Sequence, residues 1–317
     1  MLALAIDLGG SHASAALVSE TGIIAQRTIP ATGESFHGML PPLEAMTAEL
    51  LQSAGVAKRS CDGIAFGFPG AVDCRTTRVL ATNAKFEDAI SFDFQTWARE
   101  RFGCRLVLDN DARLALIGEH HAGAARGFQD AAMVLLGTGI GTAVLLNGKP
   151  LRGLKNQAGS LGGHLPLRLH GRRCTCGGIG CAEAEASTFA LGMVCREWAD
   201  FSQSALAQAG TVDFRALFAV MDAGDRIAEE VFEHCMDVWG ALTVAMTHAY
   251  SPQVIILGGG VLARANDILP GLQARLSRDA WTPGGAVTIK ASALGTSAAL
   301  HAAIPLLREM TEEIAPA

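Results

Sequence analysis

Leu2-Ala-Leu-Ala-Ile-Asp-Leu-Gly-Gly-Ser11 and Ala131-Ala-Met-Val-Leu-Leu-Gly-Thr-Gly-Ile-Gly141 are built alike. Each is an apolar run of strand length that stops at a glycine cluster, and after each the chain resumes with a second apolar run, at 12–18 and 142–146. Short apolar runs bounded by turn residues are the pattern of buried strands. The chain therefore uses strand, glycine turn, strand twice, which predicts two similar α/β halves.

Working outward, residues 19–22 turn into a third strand at 23–28. A helical pattern covers 38–53, a buried strand 63–66, a helix 92–102, a strand 105–108 and a helix 112–122. In the second half a long helix is expected over 223–249, stopped by Pro252. A strand follows at 254–257, and a last helix starts near Thr296 and packs back on the first half. The domain boundary falls near Asp111. Residues 1–112 with about 296–317 form a small α/β domain, and 113–295 a large one that carries a cysteine-rich loop.

Strand 254–257 runs into a third glycine turn, Gly258-Gly259-Gly260. Glycine lets backbone N–H groups converge on an anion, and ligands of open α/β sheets gather at the carboxyl ends of strands. The turns Gly9-Gly10-Ser11-His12, Gly137-Thr138-Gly139 and Gly258-Gly259-Gly260 thus form a candidate polyphosphate site. None matches the GxxxxGK[ST] loop or a dinucleotide-binding unit. Backbone donors with Mg²⁺ would hold the phosphates, and Asp7 stands where a carboxylate reaches Mg²⁺ or its waters. A turn-capping role for Asp7 is the plain alternative.

Transfer of a phosphoryl group to an alcohol needs a carboxylate to take the proton. Asp111, between a buried strand and a helix, is the candidate base, with Asn110 beside it to orient a hydroxyl. Asn-Asp at this place is equally an ordinary helix start.

The eight cysteines fall into two sets. Cys61, Cys74, Cys104, Cys195 and Cys235 are scattered and read as small core residues. Cys174, Cys176 and Cys181 crowd together, with His164 upstream and Gly177, Gly178 and Gly180 between them. Four soft ligands in this spacing fit a closed Cys₃His zinc site, whose role is structural.

Composition bounds the rest. The 317 residues are 50% hydrophobic with a net charge of −6, enough for two packed domains and without the basic excess of a nucleic-acid surface. No apolar run approaches the roughly 20 residues that cross a bilayer, and no targeting segment is seen, so a cytoplasmic location is expected.

In this order the motifs resemble the ROK family (repressors, open reading frames and kinases). The resemblance runs from Ala5-Ile-Asp-Leu-Gly-Gly10 through Asp109-Asn-Asp-Ala112, Leu136-Gly-Thr-Gly-Ile-Gly141 and Cys174-Thr-Cys-Gly-Gly-Ile-Gly-Cys181 with Glu183, to Leu257-Gly-Gly-Gly-Val261 and the Gly295 turn. It implies an actin/hexokinase-like (ribonuclease H-like) fold of two domains around a central cleft with a structural zinc site. It also implies ATP with Mg²⁺, a small-molecule sugar substrate and a homodimer or dimer of dimers. By position, Asp111 resembles the catalytic base, and Asn83, Asn110, His164 and Glu183 the sugar ligands, with His164 serving zinc as well. Gly67-Phe-Pro-Gly70 resembles the turn lining the sugar.

Two departures stand out. Where the family reads Gly-Glu-x-Gly-His, this chain reads Gly159-Ser-Leu-Gly-Gly-His164, with one extra residue and Ser160 in place of the acid. The lost charge-assisted bond costs a substrate that depends on it roughly 1.5–3 kcal/mol. The first turn, usually Gly-Gly-Thr-Lys, ends here Ser11-His12, and together with Gly67-Phe-Pro69 it resembles bacterial allose kinases. The leading expectation is an ATP-dependent sugar kinase acting on a primary hydroxyl, O6. The alternatives are a catalytically silent or sensory sugar-binding protein and, further off, a transcriptional regulator, since the first phosphate turn begins too early to leave room for a helix-turn-helix region.

Overall fold

The computed structural model describes residues 1–83 and 85–314. It resolves into two compact units, 1–129 with 143–160 and 292–317, and 130–142 with 161–291.

The first unit opens with β1 (Leu2–Leu8), β2 (His12–Ser19) and β3 (Gly22–Pro30), then α1 (Phe36–Ser53), β4 (Gly63–Phe68), β5 (Gly70–Asp73) and β6 (Arg78–Thr82). Next come α2 (Phe94–Phe102), β7 (Arg105–Asn110) and α3 (Asp111–Ala122). Its sheet has the order β3-β2-β1-β4-β7, antiparallel in the opening meander and parallel from β1 onward. Hairpin β5–β6, unforeseen in the sequence, follows directly on β4.

Strand β4 reads Gly63-Ile-Ala-Phe-Gly-Phe68, small and large in alternation. Successive strand residues face opposite sides of a sheet, so one face is bulky and the other nearly bare. On the bulky side Phe36 of α1 meets Phe66, Phe68, Phe92 and Phe94 at centroid distances of 5.0–6.3 Å. Each such buried ring stabilises by about 1.5–3 kcal/mol. On the bare side a side chain on Gly63 would strike Leu307 at 2.6 Å, so the C-terminal helix lies against the strand.

The chain continues with β8 (Ala131–Leu136), β9 (Ile140–Leu146) and β10 (Lys149–Pro150), then α4 (Ala182–Ala186), α5 (Thr188–Arg196), α6 (Phe214–Asp222) and α7 (Arg226–Tyr250). It closes with β11 (Val254–Gly258), α8 (Ala265–Asp279), β12 (Thr288–Ala291) and α9 (Ala303–Ile314). The second sheet runs β10-β9-β8-β11-β12, the order of the first sheet repeated: a meander, then two parallel strands. The internal repetition seen in the two opening stretches is thus a repetition of sheet topology, the actin/hexokinase-like α/β arrangement.

Some expectations are corrected. The long helix begins at Arg226, not Ala223, because Gly224 takes a positive φ of 83° and the Asp225 carboxylate caps the new helix through the Ala228 N–H. The last helix begins at Ala303; the preceding stretch, Gly295–Ala302, is 3₁₀. The sequence pattern carries no expectation for β10, α4, α5, α6, α8 or β12. Among the described residues no helix is long and apolar enough to cross a membrane.

Candidate functional site

In the first unit, Asp7 is the penultimate residue of β1 and faces the bare side of β4. A Cβ on Gly67 would stand 2.8 Å from Asp7 Oδ1 and 3.6 Å from Asp111 Cα, so a methyl there would press on the Asp7 carboxylate and only touch Asp111. Asp7 Oδ1 is sealed from solvent and has no hydrogen-bond partner among the described residues. Burial pushes this carboxyl up to about 8, and the Asp111 charge adds to the rise. An orphaned, buried carboxylate oxygen is what a hard cation such as Mg²⁺ takes as a ligand, directly or through water.

Asp111 is the first residue of α3. Its Oδ1 accepts the Ala112 N–H at 2.8 Å and the Asn110 amide at 3.0 Å, while Oδ2 receives no donor from another described residue. Burial raises this carboxyl to about 6, against which those hydrogen bonds pull. A carboxylate so poised is largely ionised at neutral pH yet basic enough to accept a proton. Asn110 is indeed the helix cap: its Oδ1 accepts the Arg113 N–H at 3.2 Å, and its amide also donates to Gly70 O at 3.2 Å. The cap uses the Asn110 amide oxygen, while its NH₂ group braces Gly70 O and Asp111 Oδ1.

Behind this pair lies a network the sequence reading passed over. The fully buried Asp109 carboxylate pairs with Arg113 and, at 3.1 Å, with Arg152. Arg113 also donates to Asn156 O at 3.1 Å and Ala158 O at 3.4 Å. It ties α3 to the loop leading to Ser160, whose Oγ donates to Gln157 O at 3.0 Å. An arginine four residues after an aspartate, across a strand-to-helix junction, was the available signal. Asn83 is exposed in the loop after β6.

The Gly9–His12 turn closes through Gly9 N–H to His12 O at 2.8 Å, and Ser11 O accepts Ala31 N–H at 2.9 Å. Ser11 Oγ lies 3.0 Å from His12 Nδ1. Lys85, also unforeseen, donates to Gly10 O at 2.6 Å and Ala31 O at 3.0 Å.

In the second unit, the Gly137–Gly139 turn lies on the start of α5: Gly137 O accepts Thr188 N–H at 3.1 Å and Thr138 O accepts Phe189 N–H at 3.0 Å. The Gly258–Gly260 turn sits on the end of β8, where a Cβ on Gly259 would be 2.2 Å from Leu136 O. Glu183 of α4 is buried, and its Oε2 accepts the Ile140 N–H at 2.9 Å. The same oxygen would stand 2.4 Å from a Cβ on Gly139. His164 closes a 3₁₀ turn whose Gly162 N–H donates to Thr142 Oγ1 at 2.8 Å. The structure thus brings Gly137–Gly139, Gly258–Gly260 and Glu183 around the carboxyl end of β8.

His164, Cys174, Cys176 and Cys181 converge, their ligand atoms all within 4.8 Å of one another. Tetrahedral zinc, with bonds of about 2.3 Å to sulfur and about 2.1 Å to nitrogen, requires S–S edges near 3.8 Å and S–N edges near 3.6 Å. Cys176 Sγ and Cys181 Sγ are 3.7 Å apart, and Cys174 Sγ and His164 Nδ1 3.6 Å. The four residues fit zinc. The module is fastened by Glu185, fully buried two residues from Glu183. Its Oε1 accepts the Arg172 N–H at 2.7 Å, and its carboxylate pairs with the Arg172 guanidinium. A cavity of about 690 Å³ beyond it, lined by Arg168, Arg172, Trp198 and His234 among others, holds none of the sequence-derived site residues.

The chain matches the ROK family over residues 3–309. It is 30% identical over 313 residues to a glucokinase of Thermotoga maritima, covering 96% of this chain and 97% of that one. Among solved structures it is similar to a ROK hexokinase from Thermus thermophilus (TM-score 0.79, 30% identity, 98% of this chain and 100% of that one). It is also similar to a ROK family glucokinase from Streptomyces griseus in complex with glucose and AMPPNP (TM-score 0.81, 25% identity, with the same two coverages).

Proposed function

This chain belongs to the ROK family, and from that membership we propose that it is an ATP-dependent carbohydrate kinase with Asp111 as its general base. The observation that carries the reading is the Asp111 carboxyl group: one oxygen held by Ala112 and Asn110, the other open, and its proton affinity lifted by burial. Asp111 Oδ2 takes the proton of the acceptor hydroxyl, O6 of a hexose or hexose derivative, as that oxygen attacks the γ-phosphorus in line. Asn83, Asn110, Ser160, His164 and Glu183 contact the sugar. Backbone N–H groups of the Gly9–His12, Gly137–Gly139 and Gly258–Gly260 turns receive the phosphates.

Asp7, with its orphaned Oδ1, would hold Mg²⁺, which when bound neutralises charge on the phosphates. His164, Cys174, Cys176 and Cys181 would hold zinc, which fixes the loop before His164 and takes no part in the transfer. Ser160, in the place of an acid, favours a substrate other than unmodified glucose: an N-acylamino sugar, a ketose or a cyclitol. A homodimer or dimer of dimers belongs to the same reading, and light scattering tests it.

The deciding experiment follows ADP release from Mg-ATP across hexoses, ketoses, N-acylamino sugars and cyclitols. Selective turnover of one compound supports the kinase. Silence across the panel from folded, zinc-loaded protein that binds sugar would move the assignment to a sensory role.

A further inference from the structure

Resting on the kinase reading, we propose that Lys85 is the positioning residue that aims the first phosphate turn, holding Gly10 O from behind so that Ser11 N–H faces the nucleotide. The C=O and N–H of a trans peptide point in opposite directions. An ammonium that fixes Gly10 O on one side therefore fixes Ser11 N–H on the other. Lys85 Nζ makes that contact at 2.6 Å and anchors itself on Ala31 O at 3.0 Å. Its charge also lies 4.8 Å from the ring centre of Phe86, itself a buried residue.

The turn needs such a hold. Gly9 and Gly10 place no side chain to resist rotation of the peptide plane, so an unheld Gly10–Ser11 peptide can flip its donor away. Among the described residues no hydrogen bond engages the Gly10 or Ser11 N–H, and both stay available to a ligand.

The second turn shows the same device with different parts. There Gly137 O and Thr138 O are held by the Thr188 and Phe189 N–H groups opening α5, which turns the Thr138 and Gly139 N–H groups the opposite way. Among the described residues no helix start donates to Gly10 O, and the lysine ammonium takes its place. Lys85 makes no direct ion pair with a carboxylate among the described residues, and its ammonium is spent on the carbonyl oxygens of Gly10 and Ala31. Burial pulls its ammonium below the ordinary lysine range, and the nearby Glu34 charge opposes that pull.

The test titrates Mg-AMPPNP into full-length wild type, Lys85→Met and Lys85→Gln by calorimetry, with melting curves and Mg-ATP kinetics alongside. Loss of a charge-assisted contact predicts nucleotide affinity about tenfold weaker in Lys85→Met and a raised KM for Mg-ATP, with sugar affinity unchanged. Lys85→Gln, whose neutral amide still donates to Gly10 O, recovers part of the loss. Wild-type affinity in Lys85→Met overturns the proposal. Equal weakness of the two variants overturns the orienting role, because charge alone would then account for the effect. Independently of any variant, hydrogen exchange of wild type must show the Gly10 and Ser11 amides protected by Mg-AMPPNP, and absence of protection overturns the proposal. Wild type that binds no Mg-AMPPNP at all fails earlier, at the kinase reading itself.

Discussion

Asp7 occupies the space that Gly67 leaves empty: a methyl group on Gly67 would stand 2.8 Å from Asp7 Oδ1. The two lie opposite one another in the parallel pairing of β1 with β4, and the same bare strand end borders Asp111 Cα. Two carboxylates share one sheet end because the strand between them carries no side chain there.

Gly67→Ala is therefore a functional lesion more than a structural one. The methyl meets the end of a side chain, which rotates away at small cost, and the displaced carboxylate leaves the position proposed for holding Mg²⁺. Turnover should fall about tenfold to hundredfold, the loss typical of a misplacement near 1 Å, with the apparent Mg²⁺ requirement raised. Unchanged turnover and Mg²⁺ dependence in steady-state kinetics would remove Asp7 from the metal site.

Asp111→Asn keeps the size and one acceptor oxygen but no longer takes a proton, so turnover should drop at least about 10²-fold while sugar affinity is retained. The wild-type pH profile follows from the same group. The base works ionised, so kcat/KM should decline as pH falls through about 6, the value to which burial lifts this carboxyl. A profile flat down to pH 4.5 speaks against the assignment.

Asp7 makes the empty protein less stable as pH rises. An unfolded aspartate ionises near 3.8, whereas the folded one keeps its proton up to about 8. Between those values the folded state binds more protons, so its stability falls with rising pH and the loss is complete above about 8. Asp7→Asn removes this slope. In chelator and without nucleotide, its melting temperature should gain on wild type steadily from pH 5 to pH 8.5. Parallel melting curves for the two proteins would refute the linkage.

Cys176 is the exposed ligand of the quartet, so Cys176→Ser breaks the site without cutting into a core. Zinc content by atomic emission should fall from one per chain to a small fraction, and the sugar KM should rise more than the KM for ATP, since His164 loses its anchor. A zinc-free variant with wild-type kinetics would show the metal to be dispensable.

Ser160→Glu restores an acid in the loop before His164. If that position faces substrate, preference in a sugar panel should move toward aldohexoses by about tenfold, the worth of one charge-assisted hydrogen bond. An unaltered ranking would place Ser160 away from the ligand.

The sequence by itself determined the parts that contiguous residues encode. An apolar run ending in glycines is a strand and a turn wherever it sits, so all three glycine turns were legible. The spacing from Cys174 to Cys181 brings three thiolates within reach of one ion with only a short loop to bend. Asn110 caps a helix through its nearest neighbours. The tertiary structure alone decided which distant segments meet. Lys85 reaches Gly10 across 75 residues, Glu183 reaches Ile140 across 43, and Arg113 reaches Asn156 across 43. Gly67 meets Asp7 because β4 inserts beside β1 in the sheet. Sheet order and helix packing set these contacts through the burial of whole faces, and no local pattern in the chain records which face a lysine or a glycine will find opposite it.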